Sequence, residues 1–468
     1  MEIGKQEGKS LSPYCLVLPF PLQGHVNPML QFSKRLNYKG ITRITIAITK
    51  FFLKNAKDFP AASFSVETIS DGFDDGGVEK VSPQEYYNRC WKSGSDTLTE
   101  LLEKLRSSGS GVDCLIYDPF FPWALDVAKK FGLTAVMFFT QSNSVNNIYF
   151  HAYKGELKLP LSEPEIRIPG GLPVMKPGDF PSFIGEYESD PERTEMMLKQ
   201  FRNVENVDWI FVNTFYELEQ ELLKDEQFSR SSRRELIMVR AIGPTIPSWY
   251  LDKRLPDDKS YGLNAFKPIT EPCINWLNKQ QNKSVIYVSF GSFAQPGVEQ
   301  MKELALALKM TKMNFLWVVR ASEETKLPKN YIDDVSEKGL IVTWCHQLDV
   351  LAHEAIGCFL THCGWNSTLE ALSSGAPMVG LPQWSDQSTN AKFTEDVWKM
   401  GVRAQKDENG IVRRDEIIRC VSYVMEGEIG EEIGRSAIKW KKLARDAVDE
   451  GGSSDRNIEE FVSALVRF

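Results

Sequence analysis

The sequence predicts an α/β protein of two domains, each a parallel sheet covered by helices on both faces. Three observations carry this. Short apolar runs alternate with helical periodicity through both halves of the chain. The runs are near-continuous Val, Ile, Leu and Phe, as in strands buried on both faces. A chain of 468 residues also exceeds what one hydrophobic core supports.

Taken in order, "YCLVLPF" (Tyr14–Phe20) reads as a buried strand followed by the loop "PLQGHV". Asn27-Pro28 then offers an N-cap and a first-turn proline, Met29, Phe32 and Leu36 share a face, and Gly40 stops the helix before the strand "ITIAI". That is a βαβ unit. "DCLIYD" (Asp113–Asp118), a helix through Trp123 and Val127, and "LTAVMFF" make another. A stretch rich in Pro, Lys and Asp, Gly243–Pro268, reads as an interdomain linker. The grammar then restarts: "SVIYVSF" (Ser284–Phe290), Gly291-Ser292, a helix near Val298–Met310, and the strands "FLWVV", "LIVTW", "GCFLT" and "PMVGL". Near the end, Ile458, Phe461, Val462, Leu465 and Val466 form the stripe of an amphipathic helix. The expected division is 1–242, a linker at 243–268, a second domain at 269–450, and a terminal helix within 451–468.

Composition narrows the function classes. A net charge of −8 argues against a nucleic-acid surface, which calls for clustered Lys and Arg. The eight cysteines show no CxxC or paired framework, which suits a reducing compartment. The N-terminal stretch is polar, without the apolar core of a signal peptide, and no apolar run approaches the roughly 20 residues of a membrane span. A cytoplasmic monomer is expected.

The stretch "FLTHCGWNSTLEALSSGAPMVGLP" (Phe359–Pro382) reads as strand, abrupt turn, helix, glycine stop and strand. His362 to Ser367 fall at the carboxyl edge of a parallel sheet, where ligands collect. A helix opening there presents unpaired N–H groups and the positive end of its dipole. Gly364 permits close approach, and Asn366 and Ser367 add side-chain donors, so the turn can grip a phosphate or diphosphate. The bland alternative is a capping box, Ser367 with Glu370, serving only the helix itself. Cys345, His346, His353, Cys358, His362 and Cys363 lie close in sequence, but their spacings match no standard zinc pattern. Neither βαβ start carries GxGxxG, and no Gly-Lys-Ser/Thr follows a strand.

From Trp344 to Gln387 the sequence runs "WCHQLDVLAHEAIGCFLTHCGWNSTLEALSSGAPMVGLPQWSDQ". This resembles the 44-residue donor-binding signature of plant secondary-product glycosyltransferases, which use UDP-activated sugars. "PLQGHVNPM", "FVNTFYELE" (Phe211–Glu219), "SFGS" (Ser289–Ser292) and "GGSSDRNIEEFV" agree, so the resemblance spans the chain. It implies a GT-B fold of two facing Rossmann-like domains, with the donor in the C-terminal half, the acceptor mainly in the N-terminal half, and a last helix that crosses back. It further implies that Trp344 stacks on uracil, the Cys345 backbone pairs with the base edge, and Gln347 and Glu370 meet the ribose hydroxyls. His362, Gly364, Asn366, Ser367 and Ser292 would surround the diphosphate, with Asp386, Gln387 and Thr140 at the sugar. Gln387 at the end of the signature resembles glucose-using members.

Sugar transfer needs a base for the acceptor and stabilisation of the leaving diphosphate. His25 lies at the first domain's ligand edge, and an imidazole, titrating near ~6.5 in model peptides, can act as general base. Asp118 ends a strand at the same edge and could fix its tautomer. The resemblance supports this pair. No Asp-x-Asp occurs, so neither a metal nor any other cofactor is expected; the helix opening would neutralise the departing UDP. Direct attack inverts the anomeric centre. Phe20, Leu22, Phe121, Trp123, Tyr149, Phe180, Phe201 and Trp384 are candidates for an apolar acceptor pocket taking a phenolic, terpenoid or steroid hydroxyl, with a carboxyl acceptor also compatible. The competing readings are a catalytically silent UDP-sugar or hydrophobic-ligand binding protein, and an epimerase or retaining transferase of the same fold class.

Overall fold

A computed structural model describes residues 12–56, 64–224, 239–262 and 268–466. Among the described residues the strands form two sheets. The first contains β1 (Tyr14–Leu18), β2 (Arg43–Thr49), β3 (Ser65–Ile69), β4 (Cys114–Tyr117), β5 (Thr134–Phe139), β6 (Trp209–Val212) and β7 (Val239–Ala241), in the order β3-β2-β1-β4-β5-β6-β7. The second contains β8 (Val285–Ser289), β9 (Asn314–Val318), β10 (Gly339–Val342), β11 (Ile356–Thr361), β12 (Met378–Gly380) and β13 (Gly401–Arg403), in the order β10-β9-β8-β11-β12-β13. Every pairing is parallel.

The apolar runs explain this architecture. Along β1, Leu16 and Leu18 enter one core with Leu115 and Met137, while Cys15 and Val17 enter the opposite one with Ile116 and Val136. In the second sheet Tyr287, Leu316 and Phe359 face one way and Ile286, Val288 and Leu360 the other. Both faces are covered, so these strands contain few polar positions. Strand order reverses between β1 and β4 and again between β8 and β11. Those are the two points where a crevice opens in a doubly wound sheet.

The first helix differs from the sequence expectation. It spans Gln23–Tyr38, with Leu22 as N-cap and Pro28 inside it. His25 therefore sits on a helical turn rather than in a loop, and Asn27 is not a cap. Pro28 has no N–H to give the Gly24 carbonyl one turn earlier. That oxygen instead accepts a hydrogen bond from Asn366 Nδ2 at 2.8 Å, across from the second sheet.

The helix Ser453–Val466 packs Ile458, Phe461, Val462 and Leu465 into the first domain's core, Phe461 meeting Trp209 and Phe211 edge-on at 5.3 and 5.0 Å; Val466 stays exposed. The segment between the sheets is not a bare tether. Lys34 pairs with Asp258 and Arg35 with Asp252, fastening it along the first helix. No helix among the described residues is long and apolar enough to cross a membrane.

Candidate active site

Strand adjacency assembles the first half of the site. β1 and β4 pair with Leu18 opposite Tyr117, so the turns after them open side by side. His25 Nδ1 lies 2.7 Å from Asp118 Oδ2 and 3.0 Å from Thr140 Oγ1, Thr140 following β5. Asp118 is buried, and its other oxygen accepts the Phe120 N–H at 3.0 Å. A carboxylate only accepts, so Nδ1 carries the proton and Nε2 is the nitrogen left for a substrate. The imidazole lies 5.4 Å from the Phe20 ring and 5.1 Å from Phe120.

The second half lies at the carboxyl edges of β8 and β11, which pair with Ser289 opposite Thr361. A cavity of ≈ 140 Å³ is lined there by Ser292, Trp344, Cys345, Gln347, Asn366, Ser367 and Glu370. The helix Trp365–Ser374 starts from Gly364 with no side-chain cap, so Ser367 and Glu370 do not form the capping box. Ser367 Oγ and Glu370 Oε2 both accept from Gln347 Nε2, at 3.0 and 2.5 Å. Burial raises the Glu370 carboxyl to about 7, against the pull of its bonds to Gln347 and Tyr261.

His362 stands between two glycines. A Cβ on Gly364 would fall 2.6 Å from His362 Nε2, and one on Gly291 3.0 Å from Cε1. The group that Gly364 admits is therefore this ring. Burial, then the charge of Arg320, lowers His362 to about 4, so it is neutral and can offer a hydrogen bond but no charge.

After β12 and Ser385, Asp386 is the N-cap and Gln387 the first residue of the helix Gln387–Asp396. Burial raises Asp386 to about 6, opposed chiefly by the hydrogen bond from Asn390. Gln387 Oε1 accepts the Gln383 and Trp384 N–H groups at 2.8 and 3.1 Å, which leaves its NH₂ as the group for a ligand.

Among the acceptor candidates, Phe20 borders His25, Trp384 meets Phe183 and Phe293, and Leu22 is exposed. Phe121, Trp123, Tyr149, Phe180 and Phe201 are buried among the residues of the first domain's core. The Asp118 turn sends Phe120 to the imidazole and Phe121 inward against Trp123. Phe120 was absent from the sequence candidates because a two-residue aromatic pair does not disclose which ring faces out.

Other residues were also missed. Tyr250, Lys259, Ser260 and Tyr261 of the linker line the cavity, and Tyr261 donates to Glu370 Oε1 at 2.8 Å. Gln23 and Asn27 line it from the first helix, each with a buried side-chain oxygen lacking a protein partner. Arg320 donates to the Ser292 and Ala294 carbonyls and so shapes the loop after β8. Among the described residues no group of three or more His, Cys, Asp or Glu is arranged to hold a metal ion.

Two Rossmann-like sheets facing across a cleft, an imidazole on one lip and an uncapped helix opening on the other, define a GT-B glycosyltransferase. Residues 255–429 match the family model described as UDP-glucoronosyl and UDP-glucosyl transferase. Mogroside I-E synthase of Siraitia grosvenorii is 45% identical over 459 residues, covering 97% of this chain and 98% of that one. A flavonol 7-O-beta-glucosyltransferase of Arabidopsis thaliana is 43% identical, again over 97% and 98%. The solved structure of Os79 from O. sativa in complex with UDP superposes with a TM-score of 0.88 at 40% identity, covering 96% of this chain and 100% of that one. The chain belongs to the UDP-glycosyltransferase family.

Proposed function

We propose that this enzyme transfers glucose from UDP-glucose to a hydroxyl of a small lipophilic natural product, forming a β-glucoside with inversion and without a metal or other cofactor. The observation that carries the reading is the His25–Asp118 pair, 2.7 Å apart, on the helical turn whose Gln23, Gly24 and Asn27 line the cavity of Trp344 and Glu370. His25 Nε2 takes the acceptor proton as its oxygen attacks the anomeric carbon from the face opposite the diphosphate. Asp118 holds the ring and stabilises the imidazolium. The bond to the diphosphate breaks, and UDP leaves with its charge met by Ser292, His362, Asn366, Ser367 and the backbone N–H groups beyond Gly364.

On this reading Trp344 stacks on uracil, the Cys345 backbone reads its edge, and Gln347 and Glu370 hold the ribose diol. Thr140, Asp386 and the Gln387 amide hold the sugar. Phe20, Phe120 and Trp384 supply an apolar wall suited to phenolic, terpenoid or steroid acceptors. The mogroside product and the flavonol acceptor in the relatives' names are compatible with such acceptors.

The test is incubation with UDP-glucose and a panel of hydroxylated lipophiles, read by mass gain of one hexosyl group and by the anomeric NMR coupling of the product. A β-linked hexoside is expected. An α-linked product would overturn inversion, and hydrolysis of UDP-glucose without transfer to any of the panel would overturn the acceptor class.

A further inference from the structure

The loop that leads into Asp386 and Gln387, the N-cap and first residue of the helix Gln387–Asp396, is not held by its own domain alone. Ser385, immediately before them, has a φ of 59°, a left-handed conformation that a residue with a Cβ keeps only when its surroundings over-determine it. Both of its backbone groups are satisfied by a single residue of the acceptor-side domain. Its carbonyl accepts the Ser182 N–H at 2.8 Å, and its N–H donates to Ser182 Oγ at 2.7 Å.

The neighbours of Ser182 grip the same region. Asp179 Oδ1 meets Arg403 at 2.7 Å and Oδ2 meets Lys392 at 3.6 Å. The Asp179 carbonyl accepts from Thr389 Oγ1 at 2.8 Å, and Phe183 packs edge-on against Trp384 at 5.9 Å. A short stretch of one domain thus touches residues before, after and within the turn that precedes the sugar candidates of the other.

We propose that Asp179–Phe183 is a positioning clamp for the sugar-reading loop, with Ser182 at its centre, so that the hold on the sugar is set from the acceptor-side domain. Ser182 touches no reacting atom. It acts by fixing the Ser385 backbone, from which the directions of Asp386 and Gln387 follow. This rests on the reading above that those two residues meet the sugar. The uracil, ribose and diphosphate contacts lie on other loops, so the clamp distinguishes UDP-glucose from UDP.

The experiment compares wild type with Ser182→Ala, Ser182→Thr and Gln387→Ala by calorimetric binding of UDP and by steady-state kinetics with UDP-glucose. Loss of one backbone hydrogen bond predicts a rise in KM for UDP-glucose on the order of 3- to 10-fold in Ser182→Ala, with the Kd for UDP unchanged. Ser182→Thr, which keeps a hydroxyl oxygen, is expected to restore most of the affinity. Equal weakening of UDP and UDP-glucose, or a Ser182→Ala enzyme matching wild type while Gln387→Ala loses UDP-glucose, would overturn the clamp and leave the sugar reading standing. If Gln387→Ala also leaves the preference for UDP-glucose over UDP unchanged, the sugar reading fails and the clamp with it.

Discussion

His25 is held at Nδ1 by the buried Asp118 carboxylate and is flanked by two aromatic rings, so its orientation is set before any substrate arrives. Removing it removes the proton acceptor but none of the residues lining the cavity of Trp344 and Glu370. His25→Ala is therefore expected to lower kcat for a hydroxyl acceptor by about 10²- to 10⁴-fold, with UDP affinity kept; equal turnover by mutant and wild type would remove His25 as base. Glu370 gives a second test at this scale. A ribose diol donates to a carboxylate, so binding favours the ionised form, and burial has raised this carboxyl to about 7. UDP-glucose affinity should then be flat above that value and weaken as pH falls below it, approaching tenfold per unit. UDP-glucose is the right probe because its diphosphate diester does not titrate in this range, unlike the terminal phosphate of UDP. Glu370→Gln should bind more weakly and lose the pH dependence. A slope that survives in Glu370→Gln would assign it to another group.

At the scale of elements, the terminal helix contributes through its apolar stripe. Phe461 is fully buried between Trp209 and Phe211, and its truncation leaves a cavity in the first domain's core. Phe461→Ala should cost about 3–5 kcal/mol, read as an early transition in chemical denaturation; a loss under ~1 kcal/mol would mean the helix is only loosely docked. The strands and this helix were legible in the sequence because burial on both faces, or on one stripe, writes itself as apolar periodicity. The start of the first helix was not. Gln23, His25 and Asn27 are polar and Pro28 imitates a first-turn residue, while what satisfies that turn, Asn366 on the Gly24 carbonyl, lies 342 residues away. The linker misled for a related reason. Its Lys and Asp suggest a solvated tether, yet Asp252 and Asp258 pair with Arg35 and Lys34, and Tyr261 reaches Glu370. Polar residues consumed by tertiary partners leave no periodic signature.

For the whole molecule, the cleft is spanned at several points: Asn366 to Gly24, Trp365 Nε1 to the Asn213 carbonyl at 2.6 Å, Trp398 Nε1 to the Leu218 carbonyl at 3.3 Å, and Asp179 to Arg403 and Lys392. These contacts give "FVNTFYELE" and Trp365, the middle tryptophan of the glycosyltransferase signature, a structural use in joining the two domains. Asn213 docks Trp365, and Glu219 accepts the Asn143 and Ser144 N–H groups at 2.9 and 2.7 Å, capping the helix Asn143–Tyr153. The charged contact can be tested through pH. Burial alone would raise the Asp179 carboxyl, but the Lys176 N–H, Arg403 and Lys392 outweigh it and hold it below the ordinary range. A depressed acid contributes stability that is complete above its unfolded value of about 3.9 and is lost as pH falls through the lower folded value. Asp179→Asn removes that contribution while leaving Arg403 partly solvated. The mutant should be less stable by on the order of 1 kcal/mol at neutral pH, measured as the midpoint shift in urea. The difference should stay constant down to about pH 4 and close below it. A gap that persists unchanged at pH values where the carboxyl is protonated would mean that the Asp179 backbone and shape, rather than its charge, join the two domains.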